Sequence, residues 1–347
     1  MHHQTTLKLG IFKTLLYMET KKKRCWSLLF ILQFVTFSLF AQGPNNTGTY
    51  YKSADGLKGK ALKTAMFKII SNHTQLSYKA LWTAFKTTDK RNDGKVWDMY
   101  SNATNFTFGT DQAGNFSAEG QKYNREHSFP KSWFNDATPM YTDLVHLVPT
   151  DGYVNGRRSN FPFGENDGET YKSKNGFSKL GSCTYPGYKG TVFEPNDMYK
   201  GDFARIYFYM ATAYEDKITN WNQTAILQKD SYKPYKEWQQ NMLMKWSKND
   251  PVSQKEIDRN KGIQSEQNNR NPFVDYPGLE EYIWGSMTDV AFSYDNYQGV
   301  TSVPVIEVNV KPIYPEGWYN LNGQKVGDEK PTQKGVYIYR GKKIVVE

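Results

Sequence analysis

The sequence predicts an α+β protein, and three observations carry that reading. Apolar residues recur at three- and four-residue spacing in several segments, for example Phe203, Ile206, Tyr207, Met210 and Tyr214, which marks helices with a buried face. Between them lie short β-prone runs bounded by Gly- and Asn-rich pieces, which read as strands and turns. Near Asp289 the texture changes, and "SVPVIEVNVKPIYP" and "KGVYIYRGKKIVVE" read as a small all-β tail of about fifty residues.

The chain opens with a segment that reads as an address. "KKKRCWSLLFILQFVTFSLFAQ" joins a basic run to an apolar run that ends at the small residue Ala41, the layout of a secretory signal. Residues 1–41 are assigned to it, with Met18 as an alternative start. The apolar run is shorter than the roughly 20 residues of a spanning helix, so no membrane span is expected in the mature chain. Residues 42–290 form the expected main domain, 291–302 a linker and 303–347 the β module.

Within the main domain, "GLKGKALKTAMFKIISNH" and "LSYKALWTAFKTTD" read as helices, and "KVWDMYS" and "NFTFGT" as short strands. "YNREHSFPKSW" is a strand ended by Pro130, and "GYVNGRRSN" can form a short helix. "GDFARIYFYMATAYED" is a long helix that Asp202 can cap, and "PYKEWQQNMLMKW" repeats its pattern. The next helix starts at a capping box of Ser253 and Glu256 and stops before Pro272.

Composition narrows the function classes. Of the 347 residues 16% are aromatic, too many for a disordered chain. The net charge is +9, but residues 1–41 hold six cations and one acid, leaving only +4 for the rest. Bulk charge is therefore a weak argument for a polyanionic partner. Cys25 lies in the signal region and Cys183 stands alone after it, so the mature chain has no internal disulfide.

Apart from His2 and His3, the histidines are His73, His127 and His146. There is no HExxH, CxxC or Walker-type loop. His73 lies in a polar turn and reads as a surface residue. His146 lies in the apolar run "DLVHLVP" and reads as core. His127 differs, because Glu126 stands beside it and adjacent strand residues face opposite sides. Downstream, Asn155 and Arg158 fall on one face of a helix three residues apart. An Asn oxygen suits a hard divalent cation and an Arg suits phosphate. From spacing alone, a functional site and a capped, solvated loop fit that segment equally.

The combination resembles the endonuclease I family of secreted and periplasmic nucleases, in the ββα-metal (His-Me finger) group. The matching pieces are "YNREHSFPKSW", "DLVHLVPTDGYVNGRRSN" with "FPFG", "FEPNDMYKGDFARIYFYM" and "QNNRNPFVDYPGLEEYIWG", from about Tyr123 to Gly285. The resemblance implies a His general base at His127, metal ligands at Glu126 and Asn155, and a catalytic arginine at Arg158, which is offered as the phosphate contact. Arg205 and Arg270 fall in further family motifs and are assigned to substrate binding. It also implies Mg²⁺, or Mn²⁺ or Ca²⁺, as cofactor, and DNA and RNA as substrates cut with little sequence preference. A secreted or periplasmic monomer is expected. Two departures stand out. The gap from Ser128 to Asp143 lacks the phosphate-contacting Arg that some members carry, and Val145 stands where a His is expected. The tail resembles C-terminal β modules of exported Bacteroidetes proteins, some of them sorting signals, which would place the protein at the cell surface. The rival reading is an exported, non-catalytic protein that binds nucleic acid or a surface on the same scaffold.

Overall fold

The computed structural model describes residues 43–299, 317–320, 325–339 and 342–346. Its contacts divide the chain into two units, one ending at Val300 and one beginning at Thr301. The first is α+β. It contains α1 (Gly59–Ile70), α2 (Leu81–Thr88), β1 (Tyr123–His127), β2 (Leu147–Asp151), α3 (Gly152–Arg158), β3 (Tyr171–Lys172), β4 (Lys179–Ser182) and β5 (Thr191–Glu194). Then follow α4 (Lys200–Ala213), α5 (Glu237–Asn249), α6 (Gln254–Gln267), α7 (Pro272–Asp275) and α8 (Leu279–Ile283). The second unit holds β6 (Trp318–Tyr319), β7 (Lys325–Gly327), β8 (Gly335–Tyr339) and β9 (Lys342–Val346), in the order β7-β6-β8-β9.

Helix α4 is the centre of the first unit. Every residue from Gly201 to Ala213 is buried, including Asp202 and Arg205, whose charges are paired inside the protein. It packs against α1, α5 and α7. Its tyrosines reach outward to fix the segment between β1 and β2. Tyr207 Oη donates to the Ser128 carbonyl at 3.1 Å, and Tyr209 donates to Asp143 at 2.7 Å. Gly201 is required at its start, because a Cβ there would lie 2.0 Å from the Asp250 carbonyl.

Strands β1 and β2 pair antiparallel, with Glu126 opposite Val148 and His127 opposite Leu147. Helix α3 follows β2 with no loop. Asp151 makes this possible, since its carboxylate accepts from Val154 N at 2.9 Å as the N-cap and from Gly120 N at 2.7 Å. The result is a ββα unit with Glu126, His127, Asn155 and Arg158 on it. The capping box on α6 forms as the sequence predicts, with Ser253 and Glu256 each bonding the other's backbone.

Four expectations change. "KVWDMYS" and "NFTFGT" are not strands; side chains hold their backbone instead. Asp98 accepts from the amides of Tyr100 (2.8 Å) and Ser101 (3.2 Å), and Asp111 accepts from Thr107 N (2.7 Å). Their β-prone residues serve packing, with Val96 and Phe106 clustered on Tyr123. Asp202 does not cap α4: the N-cap is Tyr199. Asp202 lies in the first turn, where negative charge is favoured, and takes Lys255 Nζ at 2.7 Å. Residues 291–299, expected to begin a linker, pack on the first unit, with Phe292 buried and bonded to Leu57 and Gly56. His73 is not a surface side chain: its Nε2 lies 3.2 Å from Tyr214 Oη and 3.5 Å from Asp143.

The expected strand in "SVPVIEVNVKPIYP" and the signal region lie outside the described residues. Among the described residues no helix is long and apolar enough to cross a membrane. In the second unit, Trp318 stacks on Tyr339 with ring centroids 4.7 Å apart.

Candidate active site

Because side chains alternate along β1, Glu126 and His127 leave it on opposite faces. Glu126 is only 4% exposed. Its Oε1 accepts from Tyr100 Oη at 2.8 Å and from Arg158 Nη1 at 2.8 Å. Burial raises its pKa, and the charge of Arg158 and the Tyr100 bond oppose that rise. Arg158, 1% exposed, also donates to the carbonyls of His127 (3.0 Å) and Ser128 (2.6 Å). Its planar fork is thus spent on the end of β1, and its Nε is sealed without a partner. The structure therefore corrects the reading of Arg158 as a phosphate contact: it faces the carboxylate and two carbonyls inside the protein.

On the other face, His127 is 5% exposed. Its Nε2 lies 3.0 Å from the Tyr141 carbonyl oxygen. A carbonyl can only accept, so Nε2 carries the hydrogen and the neutral ring keeps its lone pair on Nδ1. The ring is near-parallel to Tyr141 at 5.3 Å and to Tyr78 at 6.2 Å, with His146 at 5.4 Å. Burial, then the neighbouring His146, lowers its pKa to about 3 against the hydrogen bond it donates to the Tyr141 carbonyl. His127 is accordingly neutral near pH 7. An anionic phosphate brought against the ring raises that value, toward the range where proton transfer from water is effective.

Asn155 is half-buried on α3, three residues from Arg158 and so on the same face. Among the described residues its amide makes no hydrogen bond to protein. Glu126 and Asn155 offer hard oxygen donors, the chemistry Mg²⁺ and its relatives select. Among the described residues no group of three or more His, Cys, Asp or Glu could hold a metal. A cation here would take most of its ligands from water and substrate, a pattern that suits Mg²⁺. The donor set fits such an ion. Arg158 competes for the same carboxylate, so the affinity expected is weak.

Two further assignments are corrected. Arg205 and Arg270 are each 1% exposed and gripped by internal acids. Arg205 bonds both oxygens of Glu256, at 2.5 and 2.8 Å. Arg270 bonds both oxygens of Asp275, at 2.7 and 2.5 Å. These forks tie helices together and present nothing to a substrate. Arg259, which sequence reasoning passed over, clamps Asp89 at 2.9 Å and the carbonyls of Leu144 and Leu147 at 2.7 Å each, fixing the entry to β2. Val145, at the expected His position, is a core residue. His146 is fully buried as the sequence suggests, with Nε2 2.7 Å from the Met140 carbonyl.

A buried carboxylate and a neutral imidazole thus leave one strand on opposite faces, with a short helix following the paired strand. Comparison with known proteins gives the class. Residues 58–278 match the endonuclease I family, and the chain belongs to that family: it is a nucleic-acid hydrolase. It is 39% identical over 255 residues to an extracellular ribonuclease of Bacillus amyloliquefaciens, covering 69% of this chain and 79% of that protein. It is 37% identical over 255 residues to the extracellular ribonuclease of Bacillus subtilis (strain 168), with the same coverage. An endonuclease-1 of Buchnera aphidicola subsp. Baizongia pistaciae (strain Bp) is 32% identical over 134 residues, 38% of this chain and 46% of that protein.

Proposed function

We propose that this protein is an exported, divalent-cation-dependent endonuclease that cleaves DNA and RNA with little sequence preference, acting as a monomer. The observation that carries the reading is the His127 ring. Its Nε2–H is held by the Tyr141 carbonyl, which leaves Nδ1 as the base on the face of β1 opposite Glu126. Nδ1 takes a proton from the attacking water, a role worth about 10²–10⁴-fold in rate. Glu126 and Asn155 would hold the cation, which when bound supplies charge stabilisation to the departing 3′-oxygen. Arg158 keeps Glu126 pointing away from the base, so attack and departure are handled on separate faces. Backbone contacts of this kind carry no sequence information. The relatives named extracellular ribonucleases support export and an RNA substrate. The first unit is the nuclease domain, and the C-terminal β unit is a secretion or attachment module.

The test is incubation of the purified mature protein with supercoiled plasmid and with RNA, in Mg²⁺, Mn²⁺, Ca²⁺ or EDTA. Cleavage of both in a divalent ion and none in EDTA is expected. A folded protein that cuts neither substrate in any ion would overturn the reading.

A further inference from the structure

We propose that Arg125 is the side chain that holds a non-bridging oxygen of a substrate phosphate beside His127. The inference rests on the nuclease reading above and names a residue which that reading leaves open. Residues 128–143 contain no arginine, and Arg158 is consumed by Glu126 and two carbonyls. The phosphate cation must come from another place.

Seven arginines lie among the described residues. Five are paired with carboxylates: Arg91 with Asp93, Arg158 with Glu126, Arg205 with Glu256, Arg259 with Asp89 and Arg270 with Asp275. Arg125 and Arg157 are not. Arg125 precedes His127 by two residues on β1, so both leave the strand on one face. Tyr78 touches both: the Arg125 guanidinium carbon lies 3.5 Å from its ring centroid, and the His127 ring lies 6.2 Å from it. Trp82 packs on the same guanidinium at 4.3 Å. Two rings therefore fix the plane of the fork.

The donors of that fork are only partly spent, and only on Tyr78. Nη1 donates to the Tyr78 carbonyl at 2.5 Å, and Nε is sealed from solvent with no partner. The guanidinium also bonds the Tyr78 side chain, and among the described residues no carboxylate pairs with it. A half-buried, oriented cation without a counter-charge, on the face of the general base, is suited to a phosphate oxygen. Lys131 lies over the Tyr141 ring at 5.6 Å, but it is paired with Asp136. Arg157 differs. It is exposed on α3, bonded to Tyr153 Oη at 2.5 Å, and lies over the Tyr153 and Tyr171 rings.

The experiment compares Arg125→Gln, Arg125→Lys and Arg157→Gln with wild type. One arm measures kcat/KM on a fluorogenic single-stranded oligonucleotide in Mg²⁺. The other measures binding of a labelled oligonucleotide in EDTA by anisotropy across a salt series, with thermal melting as a check on folding. Arg125→Gln is expected to lose about 100-fold or more in kcat/KM. Its log K against log[salt] slope should fall in magnitude by about 0.7, the value of one single-strand phosphate contact. Arg125→Lys keeps the charge and the slope but loses about tenfold in kcat/KM through the missing fork. Arg157→Gln stays within about threefold of wild type. An unchanged slope in Arg125→Gln overturns the proposal, whatever its activity or melting temperature, as does an equal loss in Arg157→Gln. An inactive wild type would defeat the nuclease reading, while the binding arm still judges Arg125.

Discussion

Replacing Arg158 by Met tests the buried half of the site. Arg158 Nη1 and Nη2 make three hydrogen bonds, to Glu126 and to the carbonyls of His127 and Ser128. Met fills similar volume but leaves the Glu126 carboxylate with the Tyr100 hydroxyl as its one side-chain partner beside the His127 amide. Removing one partner of a buried ion pair costs about 3–5 kcal/mol, because the remaining charge is stranded. Burial already raises the Glu126 pKa against the opposing charge of Arg158, so the variant raises it further. A carboxyl whose folded pKa exceeds its unfolded value binds protons more tightly when folded. Its contribution is retained below the unfolded pKa and lost as pH rises through the folded one. The penalty should therefore be largest at pH 7.5 and smaller at pH 5, by up to about 1.4 kcal/mol for each pH unit within that window. Urea unfolding in EDTA at the two pH values measures it. The double variant Arg158→Met/Glu126→Gln, with no carboxyl to titrate, should show much less pH dependence. A loss below about 1 kcal/mol at pH 7.5, or one that does not shrink at pH 5, would refute the account of the pair.

Three further outcomes are expected. His127→Ala should lower cleavage by about 10²–10⁴-fold while calorimetry shows divalent-cation binding unchanged; Glu126→Ala should weaken that binding, and an equal loss of affinity in both contradicts the division of roles. Gly156 points its missing Cβ into open space, so Gly156→Ala should stabilise by up to about 1 kcal/mol, whereas Gly152→Ala should destabilise because a Cβ would lie 2.6 Å from the Phe116 ring; melting curves distinguish the two. Ser253→Ala removes the box that starts α6 and should cost about 0.5–2 kcal/mol by urea titration.

What could be read from the sequence was what depends on neighbours in the chain. The α6 capping box needs only Ser253 and Glu256, three apart, and it is present. Helix periodicity located α1, α2, α4 and α5, since a repeating apolar face is a local signal. The opposed directions of Glu126 and His127 follow from the strand period alone. The partners that tune them were not legible. Tyr100 and Arg158 lie 26 and 32 positions from Glu126, and the Tyr141 carbonyl is 14 from His127. Burial was the other blind spot. Arg205 and Arg270 display a charge in the sequence, but their bidentate acids are 51 and 5 residues away and both pairs are sealed. Arg125 was passed over for the converse reason: among the described residues no acid pairs with it, which only the folded chain shows. The strands expected in "KVWDMYS" and "NFTFGT" failed because Asp98 and Asp111 capture their amides, and side-chain competition of this kind overrides β-propensity.

The burial that lowers the His127 pKa must also weaken the protein in acid. Its folded pKa is about 3, against about 6.5 in an unfolded chain. The sign follows directly. Above pH 6.5 the ring is neutral in both states and stability is undiminished. Below it the unfolded chain takes up a proton that the folded ring refuses, so stability falls as pH drops through the window from 6.5 to about 3. The slope is about 1.4 kcal/mol per pH unit, so some 3 kcal/mol should be gone by pH 4.5. His127→Gln removes the titrating group while leaving a polar side chain. Urea unfolding of wild type and variant in EDTA, at pH 7.5 and 4.5, should show the wild type losing about 3 kcal/mol more than the variant over that interval. His146 is buried with its pKa also lowered and contributes an acid limb to both proteins, so it is the difference between the two limbs that reads His127. Parallel acid limbs would mean that the His127 ring is hydrated in the folded protein and titrates near its ordinary value, so that burial is not what holds it neutral.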